Sequence, residues 1–294
     1  MIRKITSPLR YPGAKSKLIE YISTLVFKEF PDSKCTIIEP YAGSSIISLS
    51  LVYNKITSEA IIVERDPLIY AFWDAVFTIP DELITGIDTL DVSIETWHNF
   101  QRYRKANTPD EFQLIEMALA GFFFNRTNFS GILKANPLGG LNQNSKYKID
   151  CRFNKTKLIK QIELIATLQG KVEVYFDDAL NFMRTRQFMF NAMPCFLYID
   201  PPYFAKGKSL YRYWYEMNDH RQLANFLLCL NDNIKWLVSY DNHPEIEALY
   251  KKNIKHQVHF DYSAYTHKAG QELLISNLEI PPWESFSSKL QQTY

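Results

Sequence analysis

Long apolar runs, paired cysteines, surplus charge and a glycine-rich phosphate loop are all missing from this chain, and each absence removes a class of protein. No apolar stretch approaches the roughly 20 residues that a bilayer span requires. The start, Met1-Ile2-Arg3-Lys4, lacks the long apolar segment of a secretory signal, so a soluble, cytoplasmic protein is expected. The cysteines, Cys35, Cys151, Cys195 and Cys229, are scattered without paired spacing. That pattern favours buried free thiols over a disulfide framework or a zinc site. A formal net charge of +1 argues against a uniformly basic coat, although a positive cleft offset by acid elsewhere would still admit nucleic acid. Repeats and low-complexity segments are absent. With 46% hydrophobic and 22% charged residues the composition is that of an ordered globule, and 294 residues suffice for one large α/β domain carrying a smaller insertion.

What is abundant is aromatic: 15% of the chain, with 18 Tyr and 20 Phe, enough for stacking surfaces or for a Phe-rich core. The most informative stretch is Tyr198-Ile199-Asp200-Pro201-Pro202-Tyr203-Phe204. The apolar run Cys195 to Ile199 reads as a buried strand, and the two prolines cannot continue a ladder. The strand thus ends on Asp200, at the sheet edge where open α/β folds place ligands. Beyond it the prolines offer carbonyls without N–H groups, and Tyr203 adds an aromatic face. A carboxylate, free carbonyls and a ring suit a flat substrate bearing an amino group, such as adenine or cytosine.

Other segments supply the pieces of a nucleotide-binding βαβ unit. Thr36 to Glu39 reads as a strand, Pro40-Tyr41-Ala42-Gly43-Ser44-Ser45 as a small-residue turn, and Ile46 to Leu51 as an apolar helix. Gly43 allows close backbone approach, and Ser44 or Ser45 could cap the helix. A single glycine makes no dinucleotide fingerprint, and the Gly-Lys-Ser/Thr of a phosphate loop is missing. A second strand, Ala60 to Val63, ends on Glu64, placed to accept ribose hydroxyls, while Asp66 before Pro67 is good cap chemistry. After a third strand, Val172 to Phe176, Asp178 could take an adenine amino group or cap a helix. Near the start, Tyr11-Pro12-Gly13-Ala14-Lys15 precedes a helical pattern; it reads as a connecting loop or as an anion site with Lys15 as counter-charge.

Between the second and third strands the strand signals lapse, and Ile94 to Tyr103 and Glu111 to Phe124 carry helical spacing. This segment holds Asn125-Arg126-Thr127-Asn128-Phe129-Ser130-Gly131, then Lys134 and a polar, basic loop with Asn142 and Lys146. Such side chains could meet phosphates and base edges, and a solvated loop would look much the same. After Tyr203, the side chains Lys206, Lys208, Tyr211 and Arg212 alternate basic and aromatic character, as a loop clamping a displaced base would require. His220 reads as a capping or surface histidine. Towards the end, His267 and Lys268 precede Gly270-Gln271-Glu272-Leu273-Leu274 and could touch phosphates.

Asp200-Pro201-Pro202-Tyr203 resembles the catalytic motif of amino-group DNA methyltransferases, and the rest of the chain is similar to the Dam-type (D12 class, α group) adenine N6-methyltransferases. The amino-terminal loop resembles their aromatic–X–Gly–X–Lys motif, with Tyr11 for the usual Trp and Ala14 for a second Gly. Glu39 to Ser45 resembles their Asp/Glu-Pro-Phe-X-Gly-X-Gly motif, with Tyr41 in the Phe slot and Ser45 in the last Gly slot. The resemblance implies a doubly wound, seven-stranded, Rossmann-like sheet. Residues 1–80 and 165–294 would form the catalytic domain, and 81–164 an inserted, mainly helical target-recognition domain. S-adenosylmethionine would lie against Tyr11, Lys15, Glu39, Pro40, Tyr41, Gly43, Ser44, Glu64, Asp178 and Asp200. Asp200, Pro201, Pro202 and Tyr203 would act on a flipped adenine of double-stranded DNA. Asn125, Arg126, Asn128, Ser130, Lys134, Asn142, Lys146, Lys206, Lys208, Tyr211, Arg212 and Lys268 would contact that DNA. Such an enzyme needs no metal, works as a monomer, and could have a cognate restriction endonuclease acting separately. Rival readings are cytosine or RNA methylation, a catalytically silent DNA binder, and a protein methyltransferase, which would usually carry Asn in place of Asp200.

Overall fold

The computed structural model describes residues 2–11, 15–251, 254–264 and 266–283, and the side chains of Ser209 and of 254–271 are outside that description. Pro12, Gly13 and Ala14 of the amino-terminal loop therefore lie outside the described residues, as do the side chains of His267 and Lys268.

A mixed α/β fold is built on one sheet. Its strands are β1 (Thr36–Glu39), β2 (Glu59–Glu64), β3 (Val172–Phe176), β4 (Cys195–Ile199), β5 (Lys235–Asp241), β6 (Ile254–Ala264) and β7 (Thr266–Ser276), in the seven-stranded order β3-β2-β1-β4-β5-β7-β6. The neighbouring pairs from β3 through β5 run parallel, and β7 lies antiparallel to both β5 and β6. β1 and β4 are buried at every position because both faces are covered, which is why each reads as an unbroken apolar run. The order runs outward from β1 through β2 to β3, then restarts at β4 beside β1. Neighbouring strands thus send their connections in opposite directions between β1 and β4, and a crevice opens at their carboxyl ends.

Helices α1 (Ile19–Glu29), α2 (Ile46–Tyr53) and α3 (Pro67–Thr78) come first. α2 is buried along almost its whole length, Ser48 and Ser50 included, so it lies in the core with no polar face. Its first turn refutes the capping expectation: Ser45 stands at the cap position with φ 47° and makes no cap bond, and its hydroxyl donates to the Ala42 carbonyl instead. Asp66 does cap α3, accepting from Leu68 N at 3.0 Å. The chain between β2 and β3 is helical: α4 (Pro80–Thr89), α5 (Ile94–Phe100), α6 (Leu114–Thr127) and α7 (Lys155–Ala166). These helices have no core of their own. Phe122 of α6 stacks on Phe72 of α3 at 5.1 Å, and a single apolar cluster runs from the sheet through Phe123 and Phe124 to Leu158.

The remaining helices are α8 (Ala179–Thr185), α9 (Gln187–Ala192), α10 (Gly207–Leu210), α11 (Met217–Leu228) and α12 (Pro244–Leu249). A box between Glu216 and Asp219 caps α11, not His220. His220 is fully buried against the Tyr240 hydroxyl at 2.9 Å, and burial pulls its pKa down to about 4. It is a neutral core residue and not a surface one. The cysteines also divide: Cys35 and Cys195 are buried, whereas Cys151 and Cys229 are exposed, contrary to the expectation that all would be inside. No helix among the described residues is long and apolar enough to cross a membrane.

Candidate active site

The crevice at the β1–β4 switch holds the conspicuous chemistry. β4 ends in Ile199, and the prolines stop the ladder, so Asp200 projects from the strand tip. Its Oδ1 accepts from Ser239 Oγ of β5 at 2.8 Å, and the Ser239 hydroxyl also meets Tyr198 OH at 3.0 Å. The ammonium of Lys15 lies 3.0 Å from Oδ1 and 3.1 Å from Oδ2. Lys15 is only 4% exposed, so the pair is little screened by solvent. Glu272 approaches the same ammonium at 3.3 Å and accepts from Tyr203 OH at 3.0 Å. Asp241, at the end of β5, holds the next turn by accepting from Phe204 N at 2.8 Å and Ala205 N at 2.9 Å. Ser239, Asp241 and Glu272 had no legible signal as site residues; the sheet pairing, with Asp241 opposite Glu272 between β5 and β7, brings them here.

The cleft beside Asp200 is lined by Tyr11, Lys15, Glu39, Pro40, Tyr41, Gly43, Ser44, Glu64 and Asp178, every residue assigned to the cofactor from sequence. Tyr11 packs on Gly43 so closely that a Cβ there would meet its ring at 3.0 Å, and Gly43 itself has φ 45°. A side chain at that position would fill the cleft and strain the turn. Glu39 Oε2 accepts from Ser48 N at 3.1 Å; burial nevertheless pushes its carboxyl up to about 8. Glu64 is raised to about 7, again by burial, and its oxygens accept from Gly43 N at 3.1 Å and Asp66 N at 2.8 Å. Asp178 caps α8, one of the two readings considered for it, and also lines the cleft, while Arg65 pairs with it at 3.0 Å. Carboxyl groups at successive strand ends, with tyrosine faces between them, suit the hydroxyl and amino groups of a nucleoside far better than a phosphate.

The loop after Asp200-Pro201-Pro202-Tyr203 roofs this cleft. Tyr41 and Tyr215 join hydroxyls at 2.9 Å, and Tyr211 stacks near Tyr11 at 6.2 Å. Arg212 donates to the Ala106 carbonyl at 2.6 Å and lies 3.9 Å from Asp66, so it braces the roof. Lys206 and Lys208 are exposed.

Several residues assigned to DNA from sequence occupy other roles. Asn125 is fully buried and clamps the backbone of Arg10, accepting from its N at 2.7 Å and donating to its carbonyl at 2.8 Å. Asn128, equally buried, accepts from Trp97 Nε1 at 2.8 Å and donates to the Leu133 carbonyl at 3.0 Å. Neither amide can reach a base edge; a buried amide has to be satisfied internally, and these two are. Arg126 donates to the Arg152 and Pro8 carbonyls, which makes it a brace as well. Lys134 reaches the carbonyls of Lys208 at 2.6 Å and Tyr211 at 2.8 Å, tying the helical segment to the roof. Ser130, Asn142 and Lys146 are exposed, Ser130 with φ 56° before Gly131 at φ 76°.

The family description "D12 class N6 adenine-specific DNA methyltransferase" matches residues 11–263, a span containing the cleft, the Asp200 turn and the helical segment. The chain belongs to that family and is an adenine-specific DNA methyltransferase. No curated protein matches it. Among solved structures, two of the rRNA methyltransferase aviRa from Streptomyces viridochromogenes are similar to 87% of this chain and 84% of theirs, at 12% identity, with TM-scores of 0.39 and 0.36.

Proposed function

We propose that the protein transfers a methyl group from S-adenosylmethionine to the exocyclic amino group of an adenine flipped out of double-stranded DNA. The observation that carries this reading is the position of Asp200, at a strand tip on the rim of an acidic, tyrosine-lined cleft, with acceptor carbonyls immediately after it. Tyr11, Glu39, Tyr41, Gly43, Ser44, Glu64, Asp178 and the Pro40 turn are read as the cofactor's enclosure. Lys15 belongs with Asp200. Bound there, S-adenosylmethionine would supply an electrophilic methyl carried on a sulfonium.

The adenine amino nitrogen is a weak nucleophile because its lone pair is delocalised into the ring. Asp200 and the backbone carbonyl beside Pro202 accept its two N–H groups, which localises that lone pair at nitrogen. Asp200 has capacity to do so, since each carboxylate oxygen offers two lone-pair sites and Lys15 and Ser239 leave part of that capacity open. An amino group paired inside a duplex cannot reach these acceptors, which is why flipping is required, with the Tyr203 ring receiving the base. Residues 81–164 are read as the recognition insertion. The candidate DNA contacts are Ser130, Asn142 and Lys146 in that insertion and Lys206, Lys208 and Lys268 outside it, together with Lys134 and Arg212 where DNA displaces their present partners. The reading is completed by a monomeric cytoplasmic enzyme, any cognate restriction endonuclease acting separately.

The test is transfer of labelled methyl to unmethylated bacterial DNA, followed by mapping of modified bases. Methyladenine at one short motif is expected, and none from Asp200→Ala. Methylcytosine, or label entering RNA only, would replace the substrate; unchanged turnover by Asp200→Ala would remove the mechanism.

A further inference from the structure

The turn that follows Asp200 is held at both ends by one neighbouring strand. β4 pairs with β5 in a register that sets Ile199 beside Val238, so Asp200 emerges next to Ser239, whose hydroxyl donates to its Oδ1 at 2.8 Å. Two residues further along β5, on the same side of the strand by its alternation, stands Asp241. One of its oxygens accepts from Phe204 N at 2.8 Å and the other from Ala205 N at 2.9 Å. Within the turn, Gly207 N donates to the Tyr203 carbonyl at 2.9 Å. Phe204 and Ala205 thus begin a helical turn that offers their own N–H groups no partner. A capping side chain ordinarily comes from the adjoining chain. Here it comes from a strand residue 37 positions beyond Phe204.

Between the two anchors lie only Pro201, Pro202 and Tyr203. The proline rings fix φ at two of these residues, so little freedom is left once both ends are held. We infer that Asp241 is a positioning residue for methyl transfer: with Ser239, it sets the carbonyl beside Pro202 and the Tyr203 ring at fixed places relative to Asp200. The inference rests on that carbonyl and Asp200 accepting the adenine amino group, as read above. Both acceptors must meet the two N–H groups of one nitrogen at the same time, and a misplacement of about 1 Å can cost a hundredfold in rate. Releasing the Asp241 end leaves Asp200 on Ser239 and lets the second acceptor drift. The Tyr203 hydroxyl, donating to Glu272 at 3.0 Å, restrains the tip of the ring and not the direction of a carbonyl one residue earlier. Two adjacent N–H groups need two acceptor atoms. An asparagine offers one oxygen and would turn its NH2 towards the other N–H, and an alanine offers nothing.

The experiment uses the full chain, as wild type, Asp241→Asn and Asp241→Ala, with labelled S-adenosylmethionine and unmethylated bacterial DNA. Single-turnover transfer at saturation is measured beside the Kd for S-adenosylmethionine, by calorimetry, and for DNA, by fluorescence anisotropy. Transfer is expected to fall about tenfold in Asp241→Asn and about a hundredfold in Asp241→Ala, with both Kd values within about threefold of wild type. A cap that only stabilised the fold would lower Tm and leave the saturated rate of the folded protein unchanged. A folded Asp241→Ala protein transferring within about threefold of wild type overturns the inference, as does a loss carried by either Kd and not by the saturated rate. Should Asp241→Ala fail to fold, the isosteric Asp241→Asn decides: a fall of more than about threefold at saturation supports the role, and a smaller one overturns it. A wild type that transfers nothing to DNA removes the functional reading and this role with it, whereas an active wild type beside an unaffected variant removes this role alone.

Discussion

Two polar clusters in this molecule look alike in sequence and are used in opposite ways. Around Asp200, side chains from four places in the chain, Lys15, Ser239, Tyr203 and Glu272, converge on one another at the rim of a cleft. Around Asn125 to Lys134, equally polar side chains turn inward or sideways onto backbone carbonyls: Asn125 onto Arg10, Arg126 onto Arg152, Asn128 onto Leu133 and Lys134 onto Tyr211. Side chains that satisfy each other at an open crevice are poised for a ligand. Those that satisfy buried backbone build the loops that hold the crevice in place.

The widest separation between the clusters should come from Asp200→Ala, with transfer down more than about a thousandfold and calorimetric cofactor affinity and Tm nearly unchanged. Asn128→Ala should do the reverse. It strips the Trp97 indole of its acceptor and the Leu133 carbonyl of its donor, at a cost of about 2–3 kcal/mol. Its Tm, read by differential scanning calorimetry, should drop by roughly 5–10 °C while the surviving folded protein methylates the same motif. An altered motif with normal Tm would put Asn128 back among the DNA-reading residues.

A smaller effect sharpens the electrostatic side. The folded pKa of Glu39, about 8, lies above its ordinary value of 4.5 because burial disfavours the charged form. The folded state then binds the proton more tightly than the unfolded chain, so this contribution to stability is fully present below about pH 4.5 and is lost as pH rises through about 8. Glu64, at about 7, acts in the same direction. The Tm of the ligand-free protein should therefore decline between pH 5 and 8.5, and less steeply in Glu39→Gln; parallel curves would show that Glu39 is not buried neutral. The smallest change is expected from Lys146→Ala on the exposed loop: a few-fold weaker DNA binding, a salt slope reduced by about 0.9 as for one phosphate contact, and no change in Tm. An unchanged salt slope would remove that loop from the interface.

Much of this organisation was legible from residue order. Short runs rich in β-branched and aromatic residues and ending near an acid located β1, β2, β3 and β4 to within a residue; β1 and β4 are buried throughout because both faces are covered, whereas β3, at the sheet edge, is only partly buried. Glu39, Glu64, Asp178 and Asp200 follow those runs directly, so their place at the carboxyl edge of the sheet came with the strands. Asn125 and Asn128 misled because a polar residue in a loop-like segment has the same signature whether it faces DNA or satisfies buried carbonyls. His220 misled in the same way, at a helix start that another pair of residues caps.

The sequence by itself therefore determined the strands, their acidic tips and the Asp200-Pro201-Pro202-Tyr203 turn, since these depend on local periodicity and on what proline cannot do. Only the tertiary structure decided that Lys15 and Ser239 meet Asp200, that Glu272 meets Lys15, and that Lys134 and Arg212 pin the roof to the helical segment. The partners in those contacts are far apart in the chain, with a separation of 185 residues between Lys15 and Asp200. Strand order and the antiparallel placement of β7 beside β5 bring them together, and no local pattern in the chain encodes a neighbour supplied by sheet topology.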